Sequence, residues 1–283
     1  MTDQAAEDTA TQAARRARAL DVMRTLRAGR VEDVQAGAEN TERTWGAVGS
    51  FACDFAMGEI WARPYLSRRD RSMVVLAALT ALGGQPMEVR VHARGALNHG
   101  MQREQVEEVL VHLSVYTGFP RAIAALREVQ ALFRAIDGDA LLPPRAPAAR
   151  KDDARRRRDG LDVLRTMHGF ASDASDEAVT APIEAALGRF ASLAVHYVHG
   201  EVWSRPQLSR RERSLITIAA VAVLGRDEDL RDQIQGALHH GATRDEIEEV
   251  FGQLLPYAGW PAGRAALRVA REVFGALEER GDG

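Results

Sequence analysis

A single cysteine in 283 residues removes several chemistries at once. Cys53 has no partner in its own chain for a disulfide, a CxxC redox pair or a cysteine-built zinc site. Aromatic residues are only 6% of the chain, while alanine and leucine are plentiful, a balance that favours helix over sheet. No segment shows the sustained apolar–polar alternation of a half-buried strand. The net charge of −3 gives no electrostatic reason to expect nucleic acid or an anionic membrane as partner. No apolar run reaches the roughly 18 residues that a membrane span needs. The opening stretch MTDQAAEDTATQAARRARAL also lacks the apolar core of a secretory signal, so cytoplasmic residence is expected.

What is present is a repeat. GEIWARPYLSRRDRSMVVLAALTALG begins at Gly58, and GEVWSRPQLSRRERSLITIAAVAVLG begins at Gly200, with 15 of 26 positions identical at an offset of 142. After a one-residue deletion the match resumes as GALNHGMQREQVEEV from Gly95 and GALHHGATRDEIEEV from Gly236. YTGFP at Tyr116 and YAGWP at Tyr257 continue it, and the leading helices match as LDVMRT from Leu20 and LDVLRT from Leu161. The chain is long enough for two domains, each burying its own core, and the spacing predicts domains over 1–137 and 160–283. The joining stretch, 138–159, carries three prolines and a dense charge run and is expected to be an exposed linker, with Arg155–Arg158 as solvated charge or the polar start of a helix.

Each copy reads as five to six helices. Ser67-Arg-Arg-Asp70, Ser209-Arg-Arg-Glu212 and Thr243-Arg-Asp-Glu246 have the spacing of N-terminal caps, with Gln102 as a weaker counterpart of the last. The two segments that follow the first two caps are apolar on nearly every side and are expected to be buried. Pro86 opens a helix that Gly100 ends. On that helix Glu88 and His92 are four residues apart and share a face at the edge of the apolar stripe, the spacing of an acid–base pair or of an ordinary helix ion pair. The class is all-α.

GE[IV]W-x-RP-x-L, R-S at the head of an apolar helix, H-x-x-GAL-x-x-G and Y-x-G-[FW]-P together resemble the carboxymuconolactone decarboxylase family, within the alkylhydroperoxidase-like superfamily. The resemblance covers about Leu20–Phe133 and Leu161–Phe274. Set against the peroxidase signature CxxCxxxH, His92 matches the histidine, Gln85 and Glu88 take the cysteine positions, and the relay glutamate falls near Ser72. Thiol peroxidase chemistry needs a low-pKa thiolate and a resolving partner, which the signature positions here lack. The resemblance implies a decarboxylase with no metal and no organic cofactor, acting on a small carboxylated lactone or related cyclic acid. Such a reaction needs a cation to hold the carboxylate, for which Arg63 or Arg71 would serve, and a donor for the developing enolate. It also needs an acid to protonate carbon, with His92, Glu88 and Glu59 as candidates. Trp61, Tyr116 and Phe119 would wall out water, and Ser72 would face the substrate. Each also has a structural alternative, such as core packing for Trp61 and a structural ion pair for Arg71.

In the second copy Glu201, Trp203, Arg205, Arg213 and Tyr257 are retained, Asp229 replaces Glu88, and Gln233 replaces His92. Glutamine does not exchange a proton near neutral pH, so the first copy is expected to be catalytic and the second degenerate. His99 and His240 precede C-cap glycines in both copies, where a cation would favour the helix dipole. His196 and His199 occur in the second copy only, and His199 is a candidate replacement for the lost acid. The family's single-copy members form rings of six, so the resemblance implies a homo-oligomer in which three fused chains make a pseudo-hexamer. Two further readings stay open: a retuned cofactor-free dehydratase, isomerase or cyclase on a polyketide-like intermediate, and a non-catalytic binding or assembly protein.

Overall fold

The computed structural model describes residues 2–138 and 151–280. Every regular element among them is helical. In the first copy these are α1 (Thr2–Arg27), α2 (Val31–Trp45), α3 (Ala47–Phe51, continuing as a π-helix over Ala52–Trp61), α4 (Arg68–Leu82), α5 (Pro86–Asn98), α6 (Arg103–Thr117) and α7 (Phe119–Ile136). The second repeats the order with α8 (Asp153–Met167), α9 (Asp176–Leu187), α10 (Ala191–Leu193, continuing as a π-helix over Ala194–Trp203), α11 (Arg210–Val223), α12 (Asp227–His239), α13 (Arg244–Ala258) and α14 (Trp260–Arg280). Most of the expected linker lies outside the described residues; its end is helical from Asp153, so Arg155–Arg158 form the first turns of α8.

The caps form where their spacing predicts. The Ser67 side chain accepts from the Asp70 N–H, and Ser209–Glu212 and Thr243–Glu246 make full capping boxes. Gln102 and Gln105 also close a reciprocal box, so the weaker cap is complete. These caps start α4, α11, α13 and α6, the four helices at the centre of the molecule.

The expectation of a separate core for each copy is corrected. One continuous apolar cluster runs from Val22 through α4, α6 and α7 into α11, α13 and α14. The reason lies in α4 and α11, buried around most of their circumference and packed against each other. A helix apolar on all sides cannot be covered by the helices of one small copy, so each copy supplies α6 or α13 to cover the other's central helix. Charged pairs tie the crossing: Arg69 with Glu212, and Arg211 with Asp70 at 3.2 Å.

The glycine of GE[IV]W is required by packing. A Cβ on Gly58 would lie 2.7 Å from the Arg15 carbonyl oxygen of α1, and one on Gly200 would come closer still to the Arg156 carbonyl of α8. The π-helices that carry these glycines bring Trp61 and Trp203, at their ends, into the interior.

One stretch departs from the expectation about apolar runs. Asp176–Trp203 is long and apolar enough to meet a length-and-composition criterion for a membrane span. It is not one rod: Gly188 takes φ +52°, a 3₁₀ turn follows over Gly188–Phe190, and the last ten residues are π-helical. The break turns its far end onto α8.

Candidate active site

The shared core places the two sites between the copies, so neither site belongs to one copy alone. At the first, Trp61 comes from the π-helix, His92 from α5 and Tyr257 from α13 of the other copy. The Trp61 Nε1–H donates to the Tyr257 hydroxyl at 2.8 Å. The His92 ring stacks on Trp61, with centroids 5.9 Å apart and planes 15° apart, and meets the Tyr257 ring edge-on at 5.1 Å. Burial, with a smaller effect from His99, pushes the His92 pKa down to about 4, so the ring is neutral near pH 7. Its Nδ1 is buried with no hydrogen-bond partner among the described residues.

A buried ionic frame supports this group. Arg71, at 0% exposure, donates to Gln253 Oε1 at 2.6 Å, Glu249 Oε1 at 2.8 Å and the Arg63 carbonyl at 2.8 Å. Arg63 Nε donates to both Glu249 oxygens at 3.0 and 2.8 Å. Arg71 Nε and Gln253 Nε2 are buried without partners among the described residues. Gln253 and Tyr257 are one turn apart on α13 and so share a face.

Several expected members lie elsewhere. Glu88 is exposed and forms no ion pair with His92: α5 turns His92 into the core, while Glu88, in its first turn, stays in solvent. Glu59 is exposed and pairs with Arg15 at 2.5 Å. Ser72 is buried and hydrogen-bonds His99 Nδ1 at 2.8 Å, and His99 Nε2 reaches Thr25 Oγ1 at 3.1 Å. Phe119 is 57% exposed at the start of α7. Tyr116 belongs to the second site. The cation expected at His99 and His240 is corrected as well: burial, together with Arg68 beside one and Arg210 beside the other, lowers both pKa values to about 4. Cys53 is buried, which raises its thiol pKa.

At the second site the Trp203 Nε1–H donates to the Tyr116 hydroxyl at 2.8 Å. Arg213 donates to Glu108 at 2.8 Å and to the Arg205 carbonyl at 2.7 Å, and Arg205 Nε donates to both Glu108 oxygens at 2.9 and 2.8 Å. His112 stands where the first site has Gln253. Its Nδ1 accepts from Arg213 Nη1 at 3.1 Å, which leaves Nε2–H to donate to Thr217 Oγ1 at 2.8 Å. In the first copy the Thr217 position is Val75, which has no hydroxyl to offer Gln253 Nε2. Glu201 is drawn off to Arg156 at 3.3 Å. His199 stacks on Trp203 at 6.5 Å, with Nδ1 held to the Ala194 carbonyl at 2.9 Å, and burial lowers its pKa to about 4. Asp229 and Gln233 line an open cavity of about 410 Å³ with Tyr116.

Glu108, Glu249, His112 and Gln253 are site residues beyond those expected from the sequence. Their signal was the VEEV and IEEV segments, which keep a carboxylate on the buried face of a helix in both copies. Histidine is therefore exchanged for glutamine twice: His92 against Gln233, and His112 against Gln253. Because the sites cross between copies, each receives one histidine and one glutamine. Among the described residues no three or more His, Cys, Asp or Glu side chains are grouped to hold a metal ion.

The carboxymuconolactone decarboxylase family model matches residues 47–131 and 189–272, together more than half of the chain. The 4-carboxymuconolactone decarboxylase of Acinetobacter baylyi is 44% identical over 85 residues, 30% of this chain and 63% of that protein. Nitrosuccinic acid decarboxylase of Metarhizium robertsii is 36% identical over 75 residues, 26% of this chain and 50% of that protein. Peroxisomal protein 2 of Schizosaccharomyces pombe is 30% identical over 144 residues, 50% of this chain and 63% of its own length. The chain thus spans between half and just under two-thirds of the length of these relatives. With both matched regions carrying the motifs that build the paired sites, the chain belongs to the carboxymuconolactone decarboxylase family.

Proposed function

We propose that this chain is a decarboxylase that works through side chains alone at the first site, on a small carboxylated lactone or related cyclic acid. The observation that carries this reading is His92: a buried, neutral imidazole between two aromatic rings, with one ring nitrogen unpartnered. Two relatives named as decarboxylases of different acids support loss of carbon dioxide as the shared chemistry more than any single substrate.

The steps follow from the charges. A substrate carboxylate brought against a neutral, desolvated imidazole favours the imidazolium, so binding takes up a proton from solvent. Arg71 is already neutralised by Glu249, so it holds the carboxylate without over-stabilising it. As the bond between ring carbon and carboxylate breaks, carbon dioxide leaves and the electron pair stays on the substrate. The Gln253 Nε2 amide, without a partner among the described residues, offers a donor to the oxygen on which charge builds. The His92 imidazolium then gives its proton to carbon and returns to neutral. Trp61 and Tyr257 exclude water and favour the step that disperses charge.

Exposed apolar side chains at equivalent places, Trp45, Val48 and Phe51 in one copy and Leu187, Phe190 and Leu193 in the other, support a homo-oligomer built from several chains. Incubation with 4-carboxymuconolactone and with nitrosuccinate, following carbon dioxide release, tests the activity. Turnover of at least one acid, abolished in His92→Ala, is expected; full activity in that variant would refute the site.

A further inference from the structure

The two sites differ in the charges that their corresponding residues supply. In the first, the positions corresponding to Arg121, Arg226, Asp229 and Gln233 are Ala262, Gln85, Glu88 and His92, which supply a carboxylate and no guanidinium. In the second, the 410 Å³ cavity is lined by Tyr116, Arg121, Leu224, Arg226, Asp229 and Gln233. Neither the Arg121 nor the Arg226 side chain has a hydrogen bond or ion pair among the described residues, in a molecule where most arginine side chains are paired. Asp229, although it lines the same cavity as Arg226, has no ion pair among the described residues, and the Gln233 amide has no partner among them.

Both arginines are positioned by the fold. Arg226 is the N-cap residue of α12. Arg121, from the first copy, runs along Gly83 at the C-terminal end of α4, where helix carbonyls favour a cation. It stands on the rim between this cavity and a smaller one of about 240 Å³ beside α5 and α7. The floor beneath differs from the first site in its chemistry. His112 uses both ring nitrogens in hydrogen bonds and is fully buried, and burial, with Arg213 beside it, holds its pKa well below the ordinary range. Burial also pushes the Tyr116 pKa up to about 12. The second site therefore has cations to hold an anion and no free histidine nitrogen at His112 to move a proton.

We propose that the second site is a binding site for a small organic acid, its carboxylate held between Arg121 and Arg226 and its hydrogen-bonding group facing Asp229 and Gln233. It binds without turnover and is separate from the site at His92, so it goes beyond the reading of the activity. The ligand class follows from the cavity: two guanidiniums against one carboxylate select an anion, and the walls Tyr116 and Leu224 select a carbon skeleton over an inorganic ion.

Calorimetric titration of the full chain with succinate, malate and benzoate tests this. At least one should bind, with one site per chain and weaker binding as salt rises. Arg121→Ala and Arg226→Gln, which install the residues of the first site, should each weaken it about tenfold or more. Both side chains are exposed and unpaired, so the variants should keep the wild-type circular dichroism and thermal midpoint. Binding should survive His92→Ala. No binding of any of the three at millimolar concentration, equal affinity in the arginine variants, or loss of binding in His92→Ala would overturn the proposal. The last result would place the ligand at the first site, and carbon dioxide release by the arginine variants separates that outcome from failure of the proposed activity.

Discussion

His92 and His112 show how environment leaves the same side chain with different hydrogen-bonding capacity. Both are buried, both pack against a tryptophan–tyrosine pair, and burial lowers both pKa values. His112 has each ring nitrogen committed, whereas His92 keeps Nδ1 free. Replacing His92 by Gln, the residue of the second site, should lower kcat by about 10² to 10⁴, the usual worth of a positioned acid. Glu88→Gln should leave kcat near wild type, because that carboxylate is in solvent. Steady-state kinetics on the accepted acid decides both. The depressed pKa values also set a sign for stability. Unfolded histidines titrate near 6.5, while His92, His99, His199 and His240 titrate near 4 when folded. The unfolded chain therefore binds more protons between those values, and stability that is full above about pH 6.5 is lost as pH falls toward 4. Thermal melts across that range should show the midpoint falling steadily with acidification.

At the scale of elements, the pairing of α4 with α13 and of α11 with α6 depends on two buried carboxylates. Glu249 joins Arg63 and Arg71, and Glu108 joins Arg205 and Arg213, with both carboxylates almost fully buried. Removing one partner from such a pair leaves an uncompensated buried charge. Glu249→Ala should therefore cost about 3–5 kcal/mol, measured by denaturant unfolding. The GE[IV]W glycine is a second constraint on elements. Gly58→Val should separate α1 from its π-helix, because a side chain there meets the Arg15 carbonyl, and the cost should be about 1–3 kcal/mol or more. Loss of the Trp61 placement should lower activity in parallel.

For the whole molecule, the duplication is two halves of one core rather than two enzymes in tandem. Each half contributes a central helix that the other must cover, and each site takes its tyrosine and its carboxylate from the opposite copy. Half-chains divided within 139–150 and produced separately should aggregate or remain partly unfolded. Produced together, they should form a one-to-one complex that regains carbon dioxide release. Size-exclusion chromatography with light scattering reads the association. Recovery of activity by the first half alone would show that α13 is dispensable and the crossed site wrong.

The sequence by itself determined the all-helical class, the caps, the repeat and the family, because these rest on local periodicity, cap spacing and motif order along the chain. It implied five to six helices per copy where the described residues form seven, one in each copy continued by a π-helix. It also exposed His92 against Gln233, since aligned copies make such differences visible. Only the tertiary structure decided which residues meet. Tyr116 lies in the same copy as Trp61, yet it bonds Trp203; Glu88 shares a helix face with His92 by spacing, yet one is in solvent and the other in the core. Spacing along a helix fixes angular position but not which chain segment covers that face. That choice was made by α4 and α11, too apolar to be covered within one copy, and it turned two sequence-adjacent sites into two crossed ones.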